Sequence, residues 1–320
     1  MPPSLSIVIP SHNRPDLLGA CLSTVTRHAP AHTEILVIDD GSPDWVISSV
    51  ARSFPWVRTL RLARRRGFCA AANLGLREAT GSIVELLNDD TEVTPGWAEA
   101  ALAGFQDPTV AAVAPLVLCW PGLPESASPP LIDSAGDLYY FGGIAGKRGH
   151  RQPLGPHYLR RGPVFGASAS SAFLRREVVD RVGGFPESFG AYFEDVDLAF
   201  RLHWAGYQVL YEPASRVLHH VSASYGRPER RLLEQQSQNE ERVFWRNLPS
   251  GELARALPRH LAVLAAKAWR RWQEGNLVPF LCGRLRVLAE LKALWRHRRW
   301  LHRLGTPRNL QAWHVEVNTG

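Results

Sequence analysis

The sequence predicts an α/β protein: a mainly parallel sheet flanked by helices, followed by a basic helical region. Short apolar runs alternate with helical stretches of about ten residues, which is the pattern of βαβ units. Polar and acidic residues stand directly after several of those runs, as in Leu87-Asn88-Asp89-Asp90. Charge is divided unequally along the chain. Residues 1–225 carry 19 Lys and Arg against 22 Asp and Glu, whereas residues 226–320 carry 18 against 8. That asymmetry predicts an α/β domain over 1–225 and a Trp- and Arg-rich helical region over 226–320, divided near Gly226-Arg227-Pro228.

The elements follow in order. Leu5–Ile9 is an apolar run stopped by Pro10 and reads as a buried strand. Leu17, Leu18, Cys21, Leu22 and Val25 share one face of a helix from Pro15 to about Thr26. Glu34–Ile38 is a second buried strand, ended by Asp39-Asp40-Gly41-Ser42. A helix near Trp45–Arg52, a strand at Val57–Leu62, a helix over Gly67–Ala79 and a strand at Ser82–Leu87 continue the alternation. After Pro95 come a helix at Gly96–Phe105 and a strand at Val110–Val117. Trp120–Pro163 is rich in Pro, Gly and Ser and predicts a long loop of the kind that covers a site. Order returns with Phe165–Leu174, a helix at Arg175–Val182, a helix opened by Phe193-Glu194-Asp195 and a last strand at Tyr207–Tyr211.

Composition excludes several classes. An apolar fraction of 45% with 21% charged residues is that of an ordinary globular chain. Cys21, Cys69, Cys119 and Cys282 form no CxxC pair, which argues against a disulfide framework and a zinc site. The opening MPPSLSIVIP lacks a basic leader, and no run approaches the ~20 apolar residues that span a bilayer, so a cytoplasmic protein is expected. No GxxxxGK[ST] is present and no GxGxxG follows a strand, which removes the main support for P-loop and dinucleotide-binding readings. The run ILVIDDGS imitates the start of a receiver domain, but the pair of acids follows the second strand rather than the first.

In open sheets of this kind, ligands bind outside the carboxyl ends of the strands. Pro10-Ser11-His12-Asn13, Asp39-Asp40 and Asn88-Asp89-Asp90 fall at three such ends. Taken alone, each has a plain reading beside a functional one. Asp39-Asp40-Gly41-Ser42 makes a turn or binds a ligand. Asn88-Asp89-Asp90 is a solvated turn or a site where Mg²⁺ or Mn²⁺ bridges carboxylates to substrate phosphates. Glu194-Asp195 complements a helix dipole or supplies a general base. His219-His220 is a satisfied pair or lies beside a metal.

The ordered blocks SIVIPSHNRPDLLGACLSTV, EILVIDDGSPD, GFCAAANLGLREATG, VELLNDDTEVTPGW, VGGFPESFGAYFEDVDLAFRLHWAGY and VLHH resemble the family 2 glycosyltransferases. These are inverting enzymes of the GT-A fold, and the likeness is to the bacterial branch described as rhamnosyltransferase-like. It covers about residues 4–225. The resemblance implies transfer of a sugar from a UDP-, dTDP- or GDP-linked donor to a hydroxyl of a saccharide or lipid-linked acceptor, in cell-surface polysaccharide synthesis. It implies that Pro10, Ser11 and Asn13 line the nucleotide pocket, that Asp40 bonds the base, and that Asn73 faces the donor. Asn88-Asp89-Asp90 matches the family's DxD motif with Asn in its first place. Asp90 is then the Mn²⁺ or Mg²⁺ ligand, and Asp89 the neighbour toward ribose or sugar. Asp195 matches the family's base and Glu194 its companion toward the acceptor. His219 matches a histidine that completes the metal site in some relatives, with His220 its competitor. The small residues of Gly166-Ala-Ser-Ala-Ser170 match an acceptor segment. A catalytically silent scaffold or carbohydrate-binding subunit of the same fold is the alternative.

The basic region has helical spacing in Leu253, Leu257, Leu261, Leu264 and Ala268, interspersed with Arg and Trp. It reads either as helices packed on the α/β domain or a second subunit, or as a set lying on an anionic membrane surface. The second reading would make the protein peripheral on the inner face of the cell membrane. No recognised nucleic-acid module accompanies the charge, so no nucleic-acid partner is expected.

Overall fold

The computed structural model describes residues 4–120, 129–220 and 229–307. Strands β1 (Leu5–Ser11), β2 (Glu34–Asp39), β3 (Val57–Arg61) and β4 (Ile83–Leu87) alternate with helices α1 (Pro15–His28), α2 (Val46–Arg52) and α3 (Phe68–Glu78). They pair in the order β4-β1-β2-β3, all parallel. The helical crossovers leave no other arrangement for neighbouring strands of this length. Side chains alternate across β1: Ile7 and Ile9 join one apolar cluster and Val8 the other. One cluster packs α1 and α2 under the sheet through Leu18, Leu22 and Ile47, and the other seats α3 through Ala71, Ala72 and Leu76. Gly75 lets α3 lie directly on β1, since a Cβ there would fall 2.2 Å from Val8 Cγ1.

Beyond β4 the chain forms β5 (Thr91–Val93), α4 (Trp97–Ala103) and β6 (Val110–Cys119). Next come β7 (Ile132–Ser134), β8 (Asp137–Tyr140), β9 (Ile144–Lys147), β10 (Gly162–Val164), β11 (Ser171–Arg175) and α5 (Arg176–Arg181). Helix α6 (Glu194–Trp204) and β12 (Gln208–His219) complete the sheet. Strand β11 inserts antiparallel between β4 and β6, and the full path runs β10-β12-β6-β11-β4-β1-β2-β3. The sheet is therefore mixed, with its parallel half supplied by the first ninety residues.

Two elements differ from expectation. The stretch between Trp120 and Pro163 is not one loop: among its described residues β7 pairs with β6, and β8 pairs with β9. These strands are three or four residues long and carry little apolar periodicity, so nothing in their pattern announces them. Strand β12 does not stop at Tyr211. A register shift between Glu212 and Arg216 absorbs Pro213, and the strand then continues to His219 beside β5 and β6. A proline reads as a strand end unless a bulge accommodates it.

The basic region contributes α7 (Arg230–Asn247), α8 (Ser250–Gln273), α9 (Leu277–Arg286) and α10 (Leu291–Leu304). The boundary expected near Gly226–Pro228 lies outside the described residues. Helix α7 is built into the core: its Val243 and Phe244, with Leu248 just after it and Ala256 of α8, belong to the same cluster as Phe165, Phe200 and Leu86. Trp204 Nε1 donates to the Asn247 carbonyl at 2.8 Å, and Asn247 Nδ2 donates to Asp197 at 2.7 Å. Among the described residues, no helix is long and apolar enough to cross a membrane.

Candidate active site

The parallel strands bring their polar ends together, where they hydrogen-bond to one another. At the end of β1, Pro10 and Ser11 are buried, and Ser11 Oγ donates to Asp89 Oδ2 at 2.6 Å. Asn13 sits in the left-handed region at φ 53, its N–H donating to Ser42 Oγ at 3.0 Å. At the end of β2, Asp39 is wholly buried and accepts from Ser42 N–H, Ser48 Oγ and Arg61. The neighbouring Asp40 accepts the N–H groups of Arg66 at 2.6 Å and Gly67 at 2.8 Å, anchoring the segment that enters α3. Gly41 is required there: its φ is 66, and a Cβ would lie 2.5 Å from the Arg64 carbonyl carbon.

Asn88, Asp89 and Asp90 form the turn between β4 and β5. Asp89 and Asp90 do not splay into water: both are buried, and a cation from the chain itself lies between them. Arg14, at the start of α1, places NH2 2.6 Å from Asp89 Oδ1 and NH1 2.8 Å from Asp90 Oδ2. Burial nevertheless pushes the Asp89 carboxyl up to about 6, against the pull of Arg14 and Ser11. Burial also opposes ionisation of Asp90, but a hydrogen bond and charge from His219, with Arg14, outweigh it and hold that pKa below the usual range.

The two histidines stand at the end of β12, His219 within the strand and His220 just beyond it, and they take different partners. His219 Nε2 lies 3.1 Å from Asp90 Oδ1, while its Nδ1 lies 3.0 Å from Asp133 Oδ2. His220 turns away, with Nε2 2.9 Å from Glu92 and its ring stacked on Trp120 at 4.2 Å. Asp133 is in turn bonded by Lys147 Nζ at 2.7 Å. Burial disfavours charge on His219, yet the bonds to Asp133 and Asp90 raise it to about 8.

Asp90 and His219 suit a divalent cation. Neighbouring ligands on one ion at about 2.0–2.2 Å stand ~3 Å apart, which is their present separation. The carboxylate behind Nδ1 is the partner that a metal-bound histidine ordinarily has. Among the described residues no three His, Cys, Asp or Glu side chains converge on one point. Asp90 and His219 are therefore the pair of side chains that an ion at this place would meet.

The Gly166–Ser170 segment links these acids to a second carboxylate group. The Ser170 carbonyl accepts Asn88 N–H at 3.0 Å, and Ala169 N–H donates to Asp195 Oδ2 at 3.1 Å. Burial raises the Asp195 carboxyl, opposed by the N–H groups of Ala169 and Val196 and by Lys147. Glu194 is raised further by burial and by Asp195, and Asp137 by burial and the same neighbour. Among the described residues, Glu194 Oε2 and Asp137 Oδ2 are buried with no hydrogen-bond partner. The approach to this group is constrained: Tyr192 and Phe193 stand at φ 71 and 67, a conformation non-glycine residues seldom adopt. Helix α7 supports that turn, with Asn239 Nδ2 within 3.0 Å of the Phe189, Ala191 and Tyr192 carbonyls.

Not every expected residue converges on these strand ends. Asn73 engages both amide groups with the backbone of Phe185, at 2.8 Å each, and so ties α3 to the turn before α6. Conversely, Arg14, Asp133, Asp137 and Lys147 were not singled out from the sequence. Arg14 follows Asn13 in a block already noted, and Lys147 is the one lysine among the first 225 residues, against 18 arginines. Asp133 and Asp137 lie in the stretch without periodicity and carry no local signal.

Comparison with known proteins gives a consistent picture. The family model described as "Glycosyl transferase family 2" matches residues 6–183. The O-antigen biosynthesis protein RfbC of Myxococcus xanthus is 30% identical over 69% of this chain and 18% of its own length. The N-acetylglucosaminyl-diphospho-decaprenol L-rhamnosyltransferase of Mycobacterium tuberculosis is 28% identical over 70% of this chain and 78% of its own. An uncharacterized protein of Sinorhizobium fredii, y4gI, is 32% identical over 72% of this chain, and the match again spans only 26% of the relative. Among solved structures, the mannosyltransferase PcManGT of Pyrobaculum calidifontis, in complex with GDP-Man and Mn²⁺, aligns at a TM-score of 0.57 and 19% identity. That alignment covers 95% of this chain and 84% of the other. GalNAc-T7 with UDP, GalNAc and Mn²⁺ aligns at 0.57 and 20% identity, covering 75% and 47%. The structural likeness is one of fold.

Proposed function

The chain belongs to glycosyl transferase family 2, and on that premise we propose that it is an inverting transferase acting on a nucleotide-diphosphate sugar. The donor lies across the ends of β1, β2 and β4, with Pro10, Ser11, Asn13 and Asp40 at the nucleoside and Asn88 and Asp89 toward ribose and sugar. Asp90 and His219 would hold Mn²⁺ or Mg²⁺, and the ion's chemistry there would be charge neutralisation of the diphosphate leaving group. Asp195 accepts the proton of the acceptor hydroxyl as its oxygen attacks the anomeric carbon. The bond from that carbon to the diphosphate oxygen breaks on the opposite face, so the centre inverts. Burial raises the Glu194 and Asp137 carboxyls and so favours their protonated form, which donates a hydrogen bond to an acceptor hydroxyl where an ionised carboxylate could only accept one. The acceptor is a saccharide or lipid-linked saccharide of a cell-surface polysaccharide. In support, the similar Mycobacterium protein is named for a diphospho-decaprenol acceptor, and both similar solved structures carry Mn²⁺.

One observation carries this reading: Asp90 and His219 face each other at 3.1 Å, with Asp133 behind the histidine. Calorimetric titration of UDP, dTDP and GDP, with and without Mn²⁺, tests it on wild type and Asp90→Ala. Metal-dependent binding of one nucleotide, lost in the variant, is expected. Binding of none of them under either condition would overturn the reading and favour a silent scaffold of the same fold.

A further inference from the structure

The helices that follow α7 expose an apolar stripe that the transfer site does not use. Val278, Leu281, Leu285, Leu288, Leu291 and Trp295 recur at helical spacings along α9, the turn after it and the start of α10. Each is between 42% and 62% exposed. Their buried counterparts Phe280, Val287, Leu294 and Leu301 face the protein, so the helices are apolar on both sides. Single exposed leucines need no explanation, but a continuous stripe marks an interaction surface.

The charges beside the stripe identify its partner. Lys292, Arg296, Arg299 and Arg303 recur at spacings of four, three and four on α10, all exposed, and α10 carries no acidic residue. Among the described residues none of these four is ion-paired with a carboxylate, in contrast to Arg284 and Arg286, which pair with Glu241 and Glu234. A second copy of the same face would bring like charges together across a two-fold axis. A nucleic acid would satisfy the arginines and leave the leucines in water. We propose that α9 and α10 dock the protein on an anionic lipid bilayer, the Leu and Trp side chains entering the interface and the Lys and Arg meeting lipid phosphates. Arg299 lies over the Trp295 ring at 4.8 Å, so the aromatic and the cation occupy the headgroup level together.

Sedimentation of the full chain with phosphatidylcholine vesicles, with and without phosphatidylglycerol, tests this. Wild type is expected to pellet with the anionic vesicles and to remain largely in solution with the neutral ones. Leu285→Ser with Leu288→Ser should weaken that binding at least about tenfold, because each leucine loses its transfer from water. Arg296→Gln with Arg299→Gln should shift release to lower salt. Both pairs lie on exposed positions, and unchanged melting temperature and nucleotide titration would show the fold and donor site intact. Wild type remaining in solution with anionic vesicles would overturn the proposal. So would a concentration-dependent dimer in ultracentrifugation that the leucine variant converts to monomer, which would assign the face to a second copy. Neither outcome bears on the donor site, which the nucleotide titration reads separately.

Discussion

The guanidinium of Arg14 lies 2.8 Å from the Asp90 carboxylate and reaches Asp89 with its other nitrogen. It bonds the Asp90 oxygen that His219 does not, and its charge offsets the repulsion between two adjacent buried acids. Arg14 is about one-third exposed at its side chain, and on the proposed metal site it and the ion would compete for Asp90. Arg14→Gln should therefore lower the melting temperature of the metal-free protein. It should also enlarge the stabilisation produced by added Mn²⁺ compared with wild type. Thermal melts with and without Mn²⁺ check this, and equal Mn²⁺ shifts in both proteins would mean that guanidinium and metal do not compete.

Asp133 touches His219 rather than the proposed ion, so its effect runs through the orientation of the imidazole. Asp133→Asn is expected to weaken Mn²⁺ binding by roughly 10–100-fold. Activity at saturating Mn²⁺ should fall much less. Electron paramagnetic resonance of free Mn²⁺ separates the two effects; an unchanged affinity would place Asp133 outside the metal's influence.

Asp195→Asn keeps the shape of the side chain and removes its basicity. Turnover should drop about 10²–10⁴-fold, the usual contribution of a positioned base. Nucleotide affinity should stay within error of wild type. A variant that turns over normally with its best acceptor would move the base elsewhere, with Glu194 and Asp137 the next carboxylates to replace.

Glu85 lies in the middle of β4, wholly buried, where Trp97 Nε1 and Ser171 Oγ donate to it. Burial pushes its carboxyl up to about 8, and those two bonds only partly offset the shift. The folded state therefore holds a proton that the unfolded chain releases above its ordinary value of 4.5. Stability from this group is greatest below that value, declines as pH rises toward 8, and is level beyond it. The full loss has an upper bound of about 5 kcal/mol. Glu85→Gln should raise the melting temperature at pH 8.5 and have little effect at pH 5. Denaturant unfolding at both pH values measures it, and a parallel loss at both would assign the glutamate a structural role.

Because Val243, Phe244 and Leu248 are buried in the cluster beneath α6, a chain ended at residue 228 should not yield a stable α/β domain. Removing three buried large apolar side chains costs several kcal/mol, comparable to the whole stability of an ordinary domain. Circular dichroism and gel filtration of the truncated chain would show aggregation or lost cooperativity. A soluble, cooperatively melting fragment would instead restore the boundary that the charge distribution suggests.

The sequence by itself determined the parallel half of the sheet and the strand ends at which Ser11, Asp40, Asp89 and Asp90 stand. It also determined the helix start at Glu194-Asp195. Those features are local: apolar period, turn residues and chain order are read within a dozen neighbours, and crossover geometry does the rest. Tertiary structure alone decided which groups meet. His219, the last residue of β12, turned toward Asp90, and His220 just beyond the strand turned toward Glu92. Asp133 and Lys147 reach the site from short strands whose pairing, not periodicity, holds them, and Asn73 was drawn to Phe185 by a contact 112 residues distant in the chain. Net charge marks a change in the solvated surface, whereas the apolar face of α7 was claimed by a core built from both sides of that change.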